Sequence, residues 1–459
     1  MLNLDGHSGS FTWWKRDVTE STESKKVDLW RLESDPAWKV EQIQPGNEAN
    51  PNGDANGEYW KLTDAEGTRY YFGREKVEWG PSTRSTMRVP LYGQDDDDTC
   101  WAQAKHMCFK AYRWNLSYIV DARGNLQRYT WEKERASYRT TESSTAQQYD
   151  LNAHLMSVEY GFTEATAKSP APARTVISYK WRCTRDDCQG PTKDKASWYP
   201  DVPFDLWCKE SASSCSEGPK SPVFFTFKKI DKIVSQVWTG TGSSAADAAY
   251  AGVEQMNLDH NYPAKSGTPT TMFLYAATRS GLGEKPLELP SVLFKETFLE
   301  NRWKPGSKSP IARPRIGQIQ NEFGGLTTVS YGQPDACDSQ SLGDGDEDDQ
   351  TTNCYARRDD EGKKAWYRKW LVTKVEVSDA YGAPTQTTSY EYSTKASDPE
   401  DEQSGSAWHS DNILGTIVPK DQQLWGDFRG YRKVKVHEGT DPKTWTTQEY
   451  RYFRGLDGD

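Results

Sequence analysis

Eight cysteines are the residues of this sequence whose type and spacing most directly suggest chemistry. They form four local couples: Cys100 with Cys108, Cys183 with Cys188, Cys208 with Cys215, and Cys337 with Cys354. The even number and the polar loops between partners favour disulfides, which are typical of exported proteins. Zinc binding by the middle four is one alternative, but their spacing lacks the two-residue knuckle of zinc sites. Free thiols in a cytosolic protein are the other alternative.

Calcium is the metal that the sequence suggests best. The run Asn52–Gly57 places oxygen ligands at positions one, three and five and a glycine at six, like the first half of an EF-hand loop. The twelfth position is Thr63 instead of glutamate, so the loop is incomplete. Acidic runs at 95–98 and 344–349 could also collect a cation, although such runs are usually solvated loop tips. We expect no resident metal or cofactor, with calcium as the alternative.

Hydrolytic chemistry finds little support in the motifs. The segment GHSGS at 6–10 does not have the spacing of a nucleophile elbow, and neither an HExxH motif nor a P-loop occurs. The histidines are scattered singly: His7, His106, His154, His260, His409 and His437. A lone histidine on a strand is more often a surface residue than a ligand or a base. We therefore expect a protein that is not an enzyme.

Glycan chemistry is the serious alternative, because the chain has 19 tryptophans and 67 acidic residues. Tryptophans such as Trp13, Trp14, Trp366 and Trp370 could stack on sugars, and paired carboxylates could cleave them. The simpler interpretation is that aromatic rings supply burial. Only 35% of residues are hydrophobic and the mean hydropathy is −0.90, yet 12% are aromatic. Such rings bury on the order of 150–250 Å² each, which predicts thin, aromatic-rich layers.

The net charge and the hydropathy of the chain indicate which binding partners and which cellular locations to expect. The net charge of −10 speaks against nucleic acid as a partner, because nucleic-acid binders show a basic face. No stretch reaches the ~20 apolar residues that cross a bilayer, so we expect no membrane span. No signal peptide is visible at the N-terminus. The sequence leaves open whether the chain is complete or a piece of a longer polypeptide.

Alternation with period two dominates the chain and predicts a mainly β protein of antiparallel hairpins and meanders that form an extended or curved sheet. In RTVISYKWRC, for example, Ile177, Tyr179 and Trp181 share one face. The segment YRKVKVHEGTDPKTWTTQEYRYF predicts a hairpin that turns at 439–442. Only the segment 243–256 has a composition that favours a helix, and an edge strand is an equal alternative for it.

Three copies of one turn connect aromatic strands. Each has aspartate first and glycine fourth, as type I turns prefer: Asp64 and Gly67, Asp121 and Gly124, Asp379 and Gly382. We expect these pairs to shape hairpins, with four tyrosines as packing partners: Tyr71, Tyr118, Tyr129 and Tyr390. A turn that occurs three times indicates a building unit, whereas a catalytic loop would be expected once.

The sequence around these turns resembles the Rhs family of YD-repeat proteins. Tyr118, Asp121, Gly124 and Tyr129 are spaced as in a YD repeat. Five longer blocks are similar to the region upstream of the tandem repeats in large actinobacterial Rhs proteins: NGEYWKLTDAEGTRYYFG (56–73), RWNLSYIVDARGN (113–125), WYPDVPFD (198–205), RPRIGQIQNEFGGLTTVSYGQPDAC (313–337) and YRYFRGLDGD (450–459). The blocks run from one end of the chain to the other.

The resemblance implies a structural role. In this family, hairpins join into a ribbon of β-sheet that spirals into a hollow shell, and in polymorphic toxins the shell encloses a C-terminal effector. The expected partners are the remainder of an Rhs polypeptide and its effector, or cell-surface components, and the expected location is secreted or at the cell surface. The three turns are widely separated, so the dense repeat array of the family is not present in this chain.

The sequence therefore predicts a non-enzymatic structural part of a shell that serves toxin encapsulation and delivery or cell-surface interaction. The alternatives are a secreted carbohydrate-binding or carbohydrate-cleaving β protein, and an adhesive module that shares only the hairpin. We expect a single β region over 1–459, with a subdivision into 1–238 and 245–459 at the TGTGSS segment.

Overall fold

The computed structural model covers the chain in ranges separated by gaps. The described residues are 1–4, 7–22, 25–33, 37–46, 52–77, 79–93, 95–96, 100–101, 106–139, 145–185, 187–244, 247–265, 270–303, 310–337, 350–358, 361–409 and 424–455.

The protein is nearly all β, with 53% strand and 3% helix, which confirms the fold class predicted from the alternating pattern. The described strands are β1 (Leu2–Leu4), β2 (His7–Gly9), β3 (Phe11–Arg16), β4 (Lys26–Leu32), β5 (Lys39–Gln44), β6 (Tyr59–Thr63), β7 (Arg69–Phe72), β8 (Thr86–Tyr92), β9 (Met107–Trp114), β10 (Leu116–Val120), β11 (Asn125–Arg139), β12 (Ala146–Thr163), β13 (Ala173–Trp181), β14 (Cys208–Lys209), β15 (Lys228–Trp238), β16 (Tyr250–Asn261), β17 (Phe273–Gly281), β18 (Leu287–Glu288), β19 (Val292–Glu300), β20 (Ala312–Gln320), β21 (Leu326–Gly332), β22 (Cys354–Arg358), β23 (Lys364–Arg368), β24 (Leu371–Ser378), β25 (Gln386–Tyr392), β26 (Ser406–His409), β27 (Asp427–Tyr431), β28 (Lys433–Glu438) and β29 (Thr446–Arg451). Short 3-10 helices span Glu164–Thr166, Lys193–Trp198 and Phe204–Leu206.

The chain forms two compact units. The first comprises Met1–Asn257 and Arg279–Glu288, and the second comprises Leu258–Thr278 and Leu289–Asp459. The TGTGSS segment, where the sequence suggests a subdivision, lies in the connection between β15 and β16. The subdivision into 1–238 and 245–459 stays a prediction.

In the first unit the strands follow one another as an antiparallel meander. Strands β3 to β7 pair in sequence order, β7 then pairs with β10, and β10 continues through β11, β12, β13, β15 and β16. The hairpin β8–β9 is inserted between β7 and β10 and pairs separately. Strand β16 begins at Tyr250, so the segment that invited a helix ends in a strand.

The second unit repeats this plan. Strands β19, β20 and β21 pair in order, β21 pairs with β24, and β24 continues through β25, β28 and β29. Two separate hairpins are inserted, β22–β23 between β21 and β24, and β26–β27 between β25 and β28. The hairpin predicted around 439–442 is confirmed, because β28 pairs with β29 from Lys433 and Arg451 to Glu438 and Thr446.

Thin layers of aromatic and aliphatic side chains form the cores of the first unit. One cluster packs Val27, Tyr71, Tyr118, Val120 and Phe162 together. A second cluster is dominated by rings, with Tyr149, Tyr199, Phe204, Trp207 and Phe227. The rings meet edge to face, for example Trp207 with Phe227 at 5.1 Å between centroids. Aromatic burial thus replaces the aliphatic core that the composition lacks.

A buried ion pair lies beside the first core. The guanidinium of Arg128 is 1% exposed, and its Nε donates to Glu159 Oε2 at 2.5 Å. The rings of Trp79 and Phe162 lie 5.7 Å from the guanidinium carbon. A cation in this position depends on its carboxylate partner, because desolvation without pairing costs several kcal/mol.

Candidate functional site at the hairpin turns

The turn at Asp121 shows how aspartate and glycine specify the hairpin between β10 and β11. The carboxylate oxygen Oδ1 of Asp121 accepts hydrogen bonds from the backbone N–H groups of Arg123 and Asn125, both at 2.8 Å. The backbone N–H of Gly124 donates to the carbonyl of Asp121 at 3.0 Å. Gly124 has a φ of +83°, a conformation that L side chains rarely adopt. Both ends of the Asp-x-x-Gly pattern therefore have a local physical function.

The turns at Asp64 and Asp379 share this geometry. Oδ1 of Asp64 accepts from the backbone of Glu66 at 3.0 Å and Thr68 at 2.8 Å. Oδ1 of Asp379 accepts from the backbone of Tyr381 at 2.7 Å and Ala383 at 3.0 Å. The fourth-position glycines of these turns have φ values of +86° and +90°.

Hydrogen bonds to the charged carboxylate lower the pKa of two of these aspartates. For Asp121 the main cause is the side-chain amide of Asn125, which donates to Oδ2 at 2.7 Å, followed by the backbone N–H of Asn125. For Asp379 the main causes are the backbone N–H groups of Ala383 and Tyr381. The turns therefore favour ionised aspartate.

A fourth copy of the turn begins at Asn321, which the Asp-x-x-Gly pattern does not include. Its Oδ1 accepts from the backbone of Phe323 at 3.0 Å and Gly325 at 2.8 Å, and Gly324 has a φ of +82°. An asparagine carbonyl oxygen accepts the same two hydrogen bonds as an aspartate oxygen. Treating asparagine and aspartate as equivalent at the first position would have found this copy.

The turns lie side by side in pairs. In the first unit, β7 leaves the Asp64 turn and pairs with β10, which enters the Asp121 turn. A Cβ placed on Gly67 would lie 3.6 Å from the Cβ of Ala122. In the second unit, β21 leaves the Asn321 turn and pairs with β24, which enters the Asp379 turn. A Cβ on Gly324 would lie 3.1 Å from the Cβ of Ala380.

Each pair of turns is separated in sequence by an inserted hairpin with a disulfide close by. The first insertion, β8–β9, contains the bond between Cys100 and Cys108. In the second, the bond between Cys337 and Cys354 ties the end of the β21 segment to the start of β22. The two units thus repeat one arrangement: a turn, a strand, an inserted hairpin, a strand that pairs with the first, and a second turn.

All eight cysteines are paired as the sequence predicted. Besides the two bonds near the insertions, Cys183 is bonded to Cys188 and Cys208 to Cys215. The two partners of each bond are 5 to 17 positions apart in the sequence. Four disulfides are typical of an extracellular or otherwise oxidising environment.

Two of the four predicted tyrosines pack together beside the first pair of turns. The rings of Tyr71 and Tyr118 stack at 4.3 Å between centroids with an interplanar angle of 19°. Trp79 meets Tyr118 edge-on at 5.3 Å, and a guanidinium nitrogen of Arg74 donates to the Tyr118 hydroxyl at 2.8 Å. Burial raises the pKa of Tyr118, so the hydroxyl stays neutral at ordinary pH.

The other two tyrosines lie elsewhere. The hydroxyl of Tyr129 donates to Gln127 Oε1 at 3.0 Å, and its ring lines an aromatic cavity in the first unit. Tyr390 lies in β25 opposite Val436 of β28 in the second unit. The four predicted tyrosines therefore do not form one cluster.

The oxygens of the candidate calcium loop are engaged in structural hydrogen bonds. Oδ1 of Asn52 accepts from the backbone of Asp54 at 2.9 Å, and Oδ1 of Asp54 accepts from the backbone of Ala111 in β9 at 2.9 Å. The loop thereby fastens to the inserted hairpin. Residues 97–98 and 344–349 of the acidic runs lie outside the described residues, and calcium binding stays a prediction.

A buried histidine joins strands in the first unit. The ring nitrogen Nε2 of His154 lies 2.8 Å from Glu134 Oε2, and both residues are more than nine-tenths buried. Glu134 also accepts from the hydroxyl of Thr226 at 2.6 Å and from the backbone of Phe227 at 3.2 Å. These contacts tie β11 and β12 to the segment that precedes β15.

No known protein-family profile matches the chain, and no curated protein matches it in sequence. Among the part of the chain that the structure describes, no helix is long and apolar enough to cross a membrane.

Three solved structures show a weak similarity to this chain. The N-terminal domain of effector protein SpvB from Salmonella typhimurium strain LT2 is 13% identical with a TM-score of 0.30, and the match covers 61% of this chain and 77% of that one. The TcdB2-TccC3-TEV structure is 11% identical with a TM-score of 0.32, covering 97% of this chain and 18% of that one. The TcdB2-TccC3-Cdc42 structure is 10% identical with a TM-score of 0.32, and the match covers 96% of this chain and 23% of that one. At these TM-scores the similarity carries no argument about fold or function.

Proposed function

We propose that this chain is a non-enzymatic structural part of an Rhs-type shell, used for toxin encapsulation and delivery or for contact with a cell surface. The observation that carries the proposal is the pairing of hairpin turns that are distant in sequence, once in each unit. Each hairpin continues the sheet of another hairpin instead of ending in a free edge. Continued sheets suit a wall, because unpaired strand edges otherwise attract foreign strands.

The contacts of the turn residues support a structural role. The turn carboxylates are occupied by backbone N–H groups of their own turns, and the glycines provide the backbone conformation. In this proposal the chain needs no cofactor, and its partners are the remainder of the polypeptide and a C-terminal effector. Secretion or display at the cell surface agrees with the four disulfides.

Native proteolysis of the complete gene product that contains this chain tests the proposal. The gene product is digested with a non-specific protease, and surviving fragments are identified by mass spectrometry. A shell predicts that a domain following this chain resists cleavage until urea opens the sheet. Replacing Gly67 and Gly124 together by valine should expose that domain at lower urea, while Gly283→Ala should not.

The shell proposal is wrong if the following domain is cut as fast in the native gene product as when it is produced alone. If the gene product has no domain after this chain, the encapsulation role is wrong and only the surface-contact role is left. A shift of cleavage to lower urea in the turn variant alone supports it.

A further inference from the structure

The first unit contains a cavity lined by aromatic rings. Its volume is about 510 Å³, within the range of small-molecule sites. The rings come from separate strands, β3, β6, β7, β9 and β11: Phe11, Trp60, Phe72, Trp114, Tyr129 and Trp131. All six are only partly buried, so some ring area is open to a ligand.

The rings hold each other in place. Phe11 stacks on Trp60 at 5.3 Å between centroids with an interplanar angle of 14°, and Trp114 meets Trp60 edge-on at 5.9 Å. The indole N–H of Trp114 donates to the carbonyl of Glu58 at 2.9 Å, and that of Trp131 donates to the carbonyl of Leu116 at 2.8 Å. These bonds fix the ring orientations before any ligand binds, which reduces the entropy cost of binding.

Two buried donors at the cavity are without acceptors. Asn115 is 6% exposed, and its backbone is held because its N–H donates to Ser85 at 2.7 Å and its carbonyl accepts from Gly73 at 3.0 Å. Its side-chain nitrogen Nδ2 has no hydrogen-bond partner among the described residues, and neither has the indole nitrogen of Trp60. Both residues line the cavity. Buried donors without partners are rare, and each one needs an explanation.

The charges at the cavity narrow the ligand class. Arg113 and Lys61 line the cavity. None of the lining residues is acidic, and all of them belong to the part of the chain that the structure describes. A cationic ligand would meet like charges, and a purely apolar ligand would leave both donors unsatisfied. A ligand with several acceptor oxygens and one apolar face suits the donors and the rings together.

We propose that this cavity binds a pyranose unit of a glycan. The C–H face of the sugar packs on the electron-rich ring faces. Its hydroxyl oxygens accept from Asn115 Nδ2 and Trp60 Nε1, two nitrogens that are covered in this structure and become reachable when the sugar displaces the side chains over them. Arg113, which is exposed, faces a carboxylate where the sugar is a uronic acid. The site binds but does not cleave, because glycoside hydrolysis needs a pair of carboxyl groups and the lining has none. The inference is independent of the shell role.

A glycan array followed by calorimetry tests this inference with the chain as it is. The probes are soluble oligosaccharides that end in glucose, galactose, an N-acetylhexosamine or a hexuronic acid. Asn115→Ala should weaken binding about two- to tenfold, the effect of one or two neutral hydrogen bonds. Tyr129→Ala removes a ring from the cavity and should weaken binding by about tenfold. The matched control is Trp14→Ala, since Trp14 is 46% exposed and lies outside the cavity.

The melting temperature of each variant shows whether a loss of binding comes from loss of the site or from loss of the fold. The melting temperature of Asn115→Ala should be unchanged or higher, because the variant removes a buried donor that has no partner. Absence of binding to every probe at millimolar concentration would overturn the inference. So would affinity that falls in Trp14→Ala and is unchanged in Asn115→Ala and Tyr129→Ala.

Discussion

Substitution of Gly124 by alanine isolates the backbone contribution of a hairpin turn. A Cβ on Gly124 would meet no atom within 4 Å, so the substitution causes no steric clash. The residue must nevertheless keep a φ of +83°. Gly283 is a matched control in the same unit, because a Cβ there also meets nothing within 4 Å and its φ is not positive.

The cost of the left-handed conformation follows from the difference in unfolding free energy between Gly124→Ala and Gly283→Ala. Alanine stabilises a protein by ~0.4–1 kcal/mol through the unfolded chain at either position, and this contribution cancels in the comparison. What is left is the left-handed conformation, which costs an L residue roughly 1–2 kcal/mol. Gly124→Ala should therefore be about 1–2 kcal/mol less stable than Gly283→Ala. Gly124→Val should lose more, because a β-branched side chain tolerates positive φ least.

Urea unfolding followed by tryptophan fluorescence, with the disulfides intact, measures this difference. With a slope of about 3 kcal/mol per molar urea, the unfolding midpoint of Gly124→Ala should lie roughly 0.3–0.7 M below that of Gly283→Ala. Gly124→Asn should recover part of the loss, because asparagine tolerates positive φ. Equal midpoints for the two alanine variants would refute the proposed importance of the left-handed turn.

The second unit offers a test of turn pairing. Gly324→Ala should be less stable than Gly382→Ala, although both glycines have positive φ, because only the former brings a new Cβ to 3.1 Å from Ala380. Adding Ala380→Gly should remove this extra loss. If the double variant recovers nothing, the two turns do not lie against each other.

Three further perturbations have expected outcomes. Because the folded-state pKa of Asp121 lies below its ordinary value, the stabilisation that its carboxylate contributes is present above pH ~4 and is lost as pH falls through the depressed pKa. The protection of the turn amides, measured as the exchange rate relative to that of an unstructured peptide at the same pH, should therefore fall in acid and should change less in Asp121→Asn. Replacing Cys337 and Cys354 by serine opens a loop of sequence separation 17 and should lower the unfolding free energy by about 3 kcal/mol in urea titrations. Glu159→Gln should cost about 3 kcal/mol, because it leaves the Arg128 guanidinium buried without its carboxylate. Adding Arg128→Met should recover most of the lost melting temperature, and an unchanged melting temperature in Glu159→Gln alone would contradict this account of the pair.

The alternating pattern was sufficient to predict the fold class, and the Asp-x-x-Gly spacing was sufficient to predict three turns, because both features depend on residues close in sequence. Strand faces follow from a period of two, and the Asp121 turn is specified by hydrogen bonds that reach no further than Asn125. The cysteine couples are equally local, with a sequence separation of at most 17 between partners. The Asn321 turn does not fit the Asp-x-x-Gly pattern, although its asparagine makes the same contacts as the aspartates.

The sites that depend on several strands could not be predicted from the sequence. The cavity takes Phe11, Trp60, Trp114 and Tyr129 from four different strands, and in the sequence each of them is only one more aromatic residue. The sequence assigned Tyr129 to packing and offered no reason to single out Asn115. Whether a ring fills a core or lines a cavity depends on which strands are neighbours.

The amino-acid sequence by itself determined that this protein would be built of antiparallel hairpins with Asp-x-x-Gly turns and local disulfides, because each of these features is decided within a short stretch of chain. Only the tertiary structure decided that the Asp64 turn lies beside the Asp121 turn, and the Asn321 turn beside the Asp379 turn. An inserted hairpin separates the members of each pair in sequence. Their pairing therefore depends on register between distant strands, which no local pattern encodes.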